Sequence, residues 1–275
     1  MPTTIYYFTG TGNSLTVARQ LAVELRETEL VPIPKAMNSG EQTRAPQGAV
    51  GLVFPVYVMG LPKIVARFAE QVDLSDTEYI FCVCTLAESG MTGAFSELEK
   101  ILDRKQKVVN AAFGILMPQN YVFGPEGPNT AGQQKLFREA SLKIMEIAAV
   151  IRERRTLRDT ETDWKVRILR FAHPIFVWLS SSEDRKFSVL DSCSGCTTCE
   201  KVCPVGNITI ENKRPLWHHS CEMCFACVNF CPTKSIQMGE KTQQHGRYHH
   251  PDVMVRDMME QHGRRPDLTT LKNRK

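Results

Sequence analysis

Eight of the chain's ten cysteines fall within 39 residues, and their order constrains the fold more than any other feature of the sequence. They form two runs of identical spacing, C-x2-C-x2-C-x3-C-P. The runs consist of Cys193, Cys196, Cys199 and Cys203, and of Cys221, Cys224, Cys227 and Cys231. Short loops of this kind hold several thiolates around one metal centre, so this stretch is predicted to fold around metal.

The spacing predicts two [4Fe–4S] clusters. Three thiolates at two-residue intervals wrap one cluster, whereas the fourth thiolate of the run cannot reach it and ligates the other cluster. The first cluster is therefore assigned Cys193, Cys196, Cys199 and Cys231, and the second Cys221, Cys224, Cys227 and Cys203. Zinc knuckles lack the third cysteine and the Cys-Pro end, and a disulfide framework needs an oxidising compartment. Both alternatives are less favoured.

The two runs are also the halves of an internal repeat. Cys193 aligns with Cys221, and Ile208 aligns with Ile236 at the same offset. Each half is predicted as a cysteine loop, a Cys-Pro turn and a short strand that begins at the isoleucine. Residues 187–240 resemble the two-cluster bacterial ferredoxins, which implies a small α+β ferredoxin-like domain.

A second motif stands near the N-terminus, between a β-branched and aromatic run at 3–8 and an amphipathic helix at about 15–26. It consists of Thr9, Gly10, Thr11, Gly12, Asn13 and Ser14. A strand, a loop of glycines and hydroxyls and then a helix predict a phosphate cradle of backbone N–H groups and neutral side-chain donors. A Walker loop would need a lysine, and a dinucleotide fingerprint would need a glycine where Leu15 stands. A single phosphomonoester is therefore predicted.

Strands and helices alternate over the first 130 residues, which predicts a doubly wound parallel α/β sheet. The five strands are expected at 3–8, 29–33, 50–54, 79–85 and within 108–117. Ligands of such sheets bind at the carboxyl ends of the strands. The loops expected at that edge are 9–14, 55–62, 86–90 and 118–121.

Residues 1–130 resemble a flavodoxin-like domain, which implies strand order 2-1-3-4-5 and FMN bound without a cationic side chain. In that family the loops after the third and fourth strands flank the flavin ring, so Tyr57 is the implied ring contact, and a surface aromatic is the alternative. The loop at 86–90 lacks the aromatic residue common there, so one ring face is expected to be more open. Besides residues 9–14, the implied flavin contacts are Pro55, Tyr57, Met59, Gly60, Leu86, Ala87, Gly90 and Asn120.

Four regions are predicted: a flavin domain at 1–160, a connector at 161–186, a ferredoxin domain at 187–240 and a basic tail at 241–275. A helix at about 133–155 is expected to close the flavin domain. The connector holds large apolar residues, expected to be clamped between the domains, with a membrane-surface segment as the alternative. They are Trp164, Ile168, Phe171, Phe176 and Trp178.

Two smaller features complete the connector and the tail. Pro174 is expected to break any helix in the connector, and His173 is expected to be packed rather than a ligand. The tail histidines, His245, His249 and His250, are expected to be surface or lid residues beside a short helix at about 251–261. The last ten or so residues are expected to be poorly ordered.

The whole arrangement resembles the fused flavodoxin–ferredoxin proteins. The resemblance implies an electron-transfer iron–sulfur flavoprotein that relays single electrons between two [4Fe–4S] clusters and non-covalent FMN. A flavin-dependent reductase of a quinone or nitro compound, fed by the clusters, is an alternative, and so is a redox or oxygen sensor with structural clusters. No catalytic acid or base is apparent, so electron carrier and enzyme both stay open.

Composition bounds the expected partners and location. The chain is 42% hydrophobic and 23% charged, an ordinary soluble composition, and its two remaining cysteines, Cys82 and Cys84, lie in an apolar run predicted as strand core. Reduced thiols, no recognisable leader and no apolar run of membrane-spanning length favour a cytoplasmic protein. The net charge of +4 comes without a nucleic-acid reading motif, so no nucleic-acid partner is expected. A soluble redox partner protein or a small electron acceptor is expected instead, and membrane-surface contact is less favoured.

Overall fold

A parallel sheet of six strands organises the first 160 residues of the computed structural model, in the order β2-β1-β3-β4-β5-β6. The strands are β1 (Thr3–Tyr7), β2 (Thr28–Pro32), β3 (Gly48–Pro55), β4 (Thr77–Leu86), β5 (Ala111–Leu116) and β6 (Leu157–Arg158). The predicted order 2-1-3-4-5 is confirmed, and the two-residue β6 extends the predicted five strands at one edge. The structure describes residues 2–39, 42–122, 127, 129–161, 173–180 and 182–262.

Helices cover both faces of this sheet. They are α1 (Asn13–Leu25), α2 (Ile33–Met37), α3 (Lys63–Gln71), α4 (Met91–Asp103) and α5 (Thr130–Arg152). α1 packs beside α5, and α3 packs beside α4. The Asn129 side chain begins α5 by accepting a hydrogen bond from the Gly132 N–H at 3.0 Å. The short α2 was not predicted, and Pro34 in its first turn suits a helix start because that turn needs no N–H donor there.

The core lies between the sheet and its helices. β3 and β4 are buried along nearly their whole length, as expected of central parallel strands covered on both faces. Cys82 and Cys84 in β4 are fully buried, and burial raises the pKa of both thiols. Their predicted place in a strand core is confirmed.

Two small antiparallel sheets build the C-terminal body. β7 (Phe187–Val189) pairs with β10 (Ile236–Met238), and β8 (Ile208–Glu211) pairs with β9 (Arg214–Trp217). Two one-turn helices, α7 (Thr198–Lys201) and α8 (Ala226–Asn229), carry cysteines in equivalent positions of the repeat. The predicted strands after each Cys-Pro turn are confirmed as β8 and β10.

The connector contains a helix, α6 (His173–Ser180), which corrects the expectation that Pro174 would break one. Pro174 lies in the first turn, where a missing N–H costs nothing. His173 is packed as predicted, with Nε2 3.0 Å from the Leu61 carbonyl oxygen and Nδ1 2.7 Å from the Glu97 carboxylate. The predictions for 162–172, including Trp164, Ile168 and Phe171, and for the Phe176 and Trp178 side chains lie outside the described residues.

The tail folds into α9 (Lys241–Gln244) and α10 (Val255–Glu260). The predicted helix at about 251–261 is confirmed in a shorter form. His250 is 3% exposed, so the surface interpretation is wrong for it. The expectation for the last ten or so residues lies outside the part of the chain that is described. Among the described helices, none combines the length and the apolar character needed to cross a membrane.

Candidate flavin and cluster sites

The phosphate loop connects the buried strand β1 to α1. Gly12 adopts φ +102°, a left-handed conformation that favours glycine, just before α1 begins. Its N–H donates to the Thr9 hydroxyl oxygen at 2.9 Å, which closes the turn. The first N–H groups of α1 have no partner within the helix, so they can bind an anion at the helix N-terminus.

Side chains of the loop are largely engaged within the protein. The Asn13 amide donates to the Pro118 carbonyl oxygen at 2.8 Å, and the Ser14 and Thr85 hydroxyls lie 2.8 Å apart. The sequence suggested the Asn13 amide as a phosphate donor, but its hydrogen bond is made to the loop after β5. Backbone N–H groups are therefore the main donors that this loop offers to a phosphate.

A cavity of about 1150 Å³ opens beside this loop, at the carboxyl ends of the strands. Eleven of the predicted flavin residues line it: Thr9, Gly10, Thr11, Asn13, Ser14, Pro55, Tyr57, Met59, Leu86, Ala87 and Asn120. The cavity combines a phosphate cradle with mostly apolar walls, as sites for cofactors do. Its lining fits FMN, because it combines a loop of neutral donors with apolar side chains.

Three predicted flavin residues do not line the cavity. A Cβ atom at Gly12 would lie 2.7 Å from the Val253 Cβ, so Gly12 permits close packing against the tail rather than against the phosphate. Gly60 packs against the His173 ring. The Gly90 N–H donates to the Glu161 carboxylate at 2.7 Å. These glycines shape the loops around the cavity from outside.

Tyr57 lines the cavity. Its hydroxyl is buried without a hydrogen-bond partner among the described residues, and burial raises its pKa well above the usual value. A buried orphan hydroxyl is costly unless another group satisfies it. The next two residues, Val58 at φ +44° and Met59 at φ +66°, form a tight turn in left-handed conformations that side chains rarely adopt. Strain of this kind concentrates at ligand-binding loops.

The C-terminal body supplies a wall of the cavity that the sequence did not predict. The residues concerned are Glu183, Lys186, Met223, Phe225, Met238 and Gly239. The rings of Phe225 and Tyr121 meet edge to face with centroids 5.7 Å apart. Phe225 therefore supplies an aromatic side chain to a cavity whose 86–90 loop has none.

The electrostatic neighbours of the cysteines bear on the crossed sets that the spacing predicts, and the assignment itself stays a prediction. Burial, with a smaller contribution from neighbouring thiolates, raises the pKa of the Cys199 thiol to about 12. These neighbours are Cys193, Cys196 and Cys231. Burial likewise raises the pKa of the second set, and the Cys203 thiolate adds to this effect at each of Cys221, Cys224 and Cys227, as Cys199 of the first set also does at Cys227.

Backbone N–H groups point at three of the sulfur atoms. Asn207 N lies 3.2 Å from Cys203 Sγ, Met223 N lies 3.2 Å from Cys221 Sγ, and Ser235 N lies 3.3 Å from Cys231 Sγ. Such hydrogen bonds help to set the reduction potential of a cluster. Among the described residues, no three His, Cys, Asp or Glu side chains are close enough to hold a single metal ion. Thiolates of a [4Fe–4S] cluster bind four different iron atoms, so they stand farther apart than the ligands of one ion.

Direct contacts join the second cysteine run to α3, the helix that follows the loop at 55–62. The Lys63 ammonium lies 2.7 Å from the Cys221 carbonyl oxygen. The buried Glu222 carboxylate accepts from the Ile64 N–H and pairs with Arg67, both at 3.1 Å. Burial raises the pKa of Glu222, and these cations oppose the shift.

The closest approach is made at Gly10 of the phosphate loop. A Cβ atom there would lie 2.5 Å from the Cys224 carbonyl oxygen, so only glycine fits between the phosphate loop and the cysteine loop. The same Cβ atom would lie 3.0 Å from the Tyr57 hydroxyl oxygen, so Tyr57 borders this contact as well. The flavin cavity and the second cluster site therefore share one interface.

Comparison with known families assigns two parts of the chain. Residues 4–123 match the family of flavodoxin domains, and residues 192–236 match the family of 4Fe-4S dicluster domains. The protein is thus an iron–sulfur flavoprotein of electron transfer. It joins a flavodoxin domain to a 4Fe-4S dicluster domain in one chain, and its cofactors are FMN and two [4Fe–4S] clusters.

Two solved structures are similar to part of this chain. A protein of Bacteroides uniformis described as a flavoprotein is 16% identical, with a TM-score of 0.31, over 42% of this chain and 90% of its own. The rubredoxin:oxygen oxidoreductase of Desulfovibrio gigas is 15% identical, with a TM-score of 0.31, over 54% of this chain and 36% of its own. No curated protein matches the chain.

Proposed function

We propose that this protein relays single electrons between its two [4Fe–4S] clusters and a non-covalently bound FMN, within one chain. The observation that carries the proposal is the wall shared by two sites. Met223 and Phe225, which alternate with the cysteines of the second set, line the flavin cavity. With both cofactors bound, these two residues would stand between the second cluster and the flavin, and the cofactors would supply the electron transfer.

The burial of the cysteines supports an order for the relay. Cys196 of the first set is exposed, whereas Cys224 and Cys227 of the second set are buried. We propose that a soluble redox partner protein exchanges electrons at the first cluster. The second cluster then connects the first to the flavin site.

The residues around the cavity have separate tasks in this proposal. Backbone N–H groups of the phosphate loop hold the phosphate, and Tyr57 and Met59 hold the ring. Met223 and Phe225 exclude water from the side that faces the clusters. Bound flavin supplies the ability to accept two electrons and release them one at a time. Placing all three centres on one chain replaces chance encounter by a high effective concentration.

A second candidate function is reduction of a small acceptor, such as a quinone or a nitro compound, beside the flavin. The size of the cavity, about 1150 Å³, favours it, because ordinary ligand pockets span roughly 300–1,000 Å³. Both candidates use the same flavin site. They differ in whether a small molecule or a protein is the final partner.

Rapid mixing tests the relay. Anaerobic protein with all cofactors is mixed with a reductant that reacts with the clusters, and flavin bleaching is followed over a range of protein concentrations. We expect a flavin rate that does not depend on protein concentration, because the transfer is intramolecular. A rate that rises linearly with concentration would mean that electrons travel between molecules, and clusters that never reduce the flavin would favour the sensor alternative. Faster flavin reoxidation by added quinone than by an oxidised protein acceptor would support the reductase.

A further inference from the structure

The chain after the ferredoxin body returns to the flavin domain and lies along the phosphate loop. We name residues 248–261 the C-terminal strap. The His250 N–H donates to the Thr11 carbonyl oxygen at 2.8 Å, and the Tyr248 hydroxyl donates to the Asn13 side-chain oxygen at 2.6 Å. The strap therefore contacts the loop through both its backbone and its side chains.

Gln261 makes the most specific of these contacts. Its amide oxygen accepts from the Thr9 N–H at 3.2 Å, and its amide nitrogen donates to the Thr9 carbonyl oxygen at 3.3 Å. Gln261 is fully buried, so without it both backbone groups of Thr9 would be buried and unpaired. One side chain thus fixes the residue at which β1 ends and the loop begins.

Packing and charge add to the hydrogen bonds. The Val253 and His250 side chains lie against Gly12, where a Cβ atom would lie 2.7 Å from Val253 Cβ. Farther along, Asp257 in α10 pairs with Arg19 of α1 at 2.7 Å. The strap thus contacts the loop at Gly12 and continues to α1 beyond it.

The strap is also joined to the second cysteine run. The Tyr248 N–H donates to the Asn229 side-chain oxygen at 3.0 Å, and the His249 ring stacks on Phe230 at 4.5 Å. Asn229 donates in turn to the Asn120 carbonyl oxygen at 3.1 Å in the loop after β5. The phosphate loop is therefore tied through the strap to the cluster body.

We infer that the C-terminal strap is part of the flavin site, with Gln261 and Tyr248 as positioning residues that hold the phosphate loop in its anion-binding shape. A loop whose N–H groups already converge binds an anion more tightly, because binding does not have to offset the entropy lost in ordering the loop. The inference rests on the flavin site of the proposed function and is independent of the path that electrons take. It also makes FMN affinity depend on a segment that follows the ferredoxin domain.

Equilibrium titration of flavin-depleted protein with intact clusters tests the inference. Gln261→Ala leaves the buried Thr9 N–H without an acceptor, and we expect it to weaken FMN binding about tenfold. Binding of riboflavin, which has no phosphate, should hardly change. The ratio of the two affinities is the decisive quantity, because a general loss of structure would weaken both flavins alike.

Two further variants make the result unambiguous. Tyr248→Phe keeps the ring and removes only the hydroxyl that is hydrogen-bonded to Asn13. We expect it to shift the ratio of FMN to riboflavin affinity in the same direction but by less. This variant tests the inference if Gln261→Ala fails to incorporate iron. Gln243→Ala, at an exposed position of the same tail, is the matched control and should bind both flavins as the parent does. Unchanged FMN affinity in Gln261→Ala and Tyr248→Phe, or equal losses of FMN and riboflavin, would overturn the inference. If the proposed electron relay is wrong, the rapid-mixing experiment will show it, and the affinities of these variants for FMN and riboflavin will not be affected.

Discussion

The two halves of the cysteine repeat have the same spacing and nearly the same backbone, but they face different surroundings. Gly195 and Met223 are equivalent positions with φ of +67° and +52°, and Thr197 and Phe225 are equivalent with +66° and +56°. In the first half, the residues between the first three cysteines are small and none is buried: Ser194, Gly195, Thr197 and Thr198. In the second half, their equivalents are all buried: Glu222, Met223, Phe225 and Ala226.

The comparison separates two roles within one motif. Cluster geometry fixes the cysteines and the backbone, so these agree between the halves. The residues between the cysteines are free to vary, and they decide what each loop touches. Small residues leave the first half exposed, whereas Met223 and Phe225 in the second half line the flavin cavity. The proposed relay needs one half of each kind.

The largest expected difference between the halves is tested with equivalent cysteines. Cys224→Ala removes a ligand from the buried set, and because the local fold depends on its metal, the cavity wall at Met223 and Phe225 should be lost with the cluster. Cys196→Ala removes the equivalent ligand from the exposed set. From about eight iron atoms per chain in the parent, both variants should lose roughly half, but only Cys224→Ala should also lose FMN on desalting. Iron, sulfide and flavin analysis measures all three.

The crossed ligand sets allow a sharper version of this test. Cys203 lies in the first run but belongs to the second set, so Cys203→Ala should release FMN as Cys224→Ala does. Cys231→Ala should behave like Cys196→Ala. If flavin loss follows the run that holds the cysteine rather than the set, the crossed assignment is wrong.

An exchange of equivalent residues gives a smaller effect. Phe225→Thr places the residue of the exposed half into the cavity wall, where Phe225 is 6% exposed. Losing this apolar contact removes about 1.5–3 kcal/mol of burial, and we expect FMN binding to weaken by about tenfold or more. The reverse exchange, Thr197→Phe, is the control and should leave FMN affinity unchanged because Thr197 lies outside the cavity. Similar affinities in the two variants would show that Phe225 does not contribute to the flavin site.

Much of the fold of each domain was predictable because the sequence patterns that indicate it lie within short segments of the chain. Alternation of apolar strands and helices predicts the parallel sheet, and cysteine spacing predicts the two-cluster domain. Strand β6 was not predicted because two residues are too few to show an apolar pattern. The effect of Pro174 was predicted wrongly because proline breaks a helix in its interior but is tolerated in its first turn.

The shared wall was not predicted, because it is formed by segments about 100 residues or more apart in sequence, and such contacts leave no periodic pattern. One signal was present in the second run, where Met223 and Phe225 replace Gly195 and Thr197 of the first. Large apolar residues in a loop that needs only cysteines for its metal indicate a contact surface. Gln261 carries no comparable signal, since a single polar residue in a basic tail predicts nothing about its partner.

The smallest expected effect concerns His250, which joins the buried half to the phosphate loop through the strap. Burial lowers its pKa below the usual value of about 6.5, although the nearby Asp252 carboxylate opposes the shift and His249 adds to it. A buried neutral His stabilises the docked strap above that pH, and the stabilisation is lost as the pH falls below about 6.5, because the undocked strap binds the proton more readily. We therefore expect FMN affinity to fall by roughly fivefold more in the parent than in His250→Gln between about pH 7.5 and about pH 5.5. The phosphate titrates equally in both proteins, so the difference between their titration curves isolates His250. If FMN affinity depends on pH in the same way in both proteins, protonation of His250 does not affect the docking of the strap.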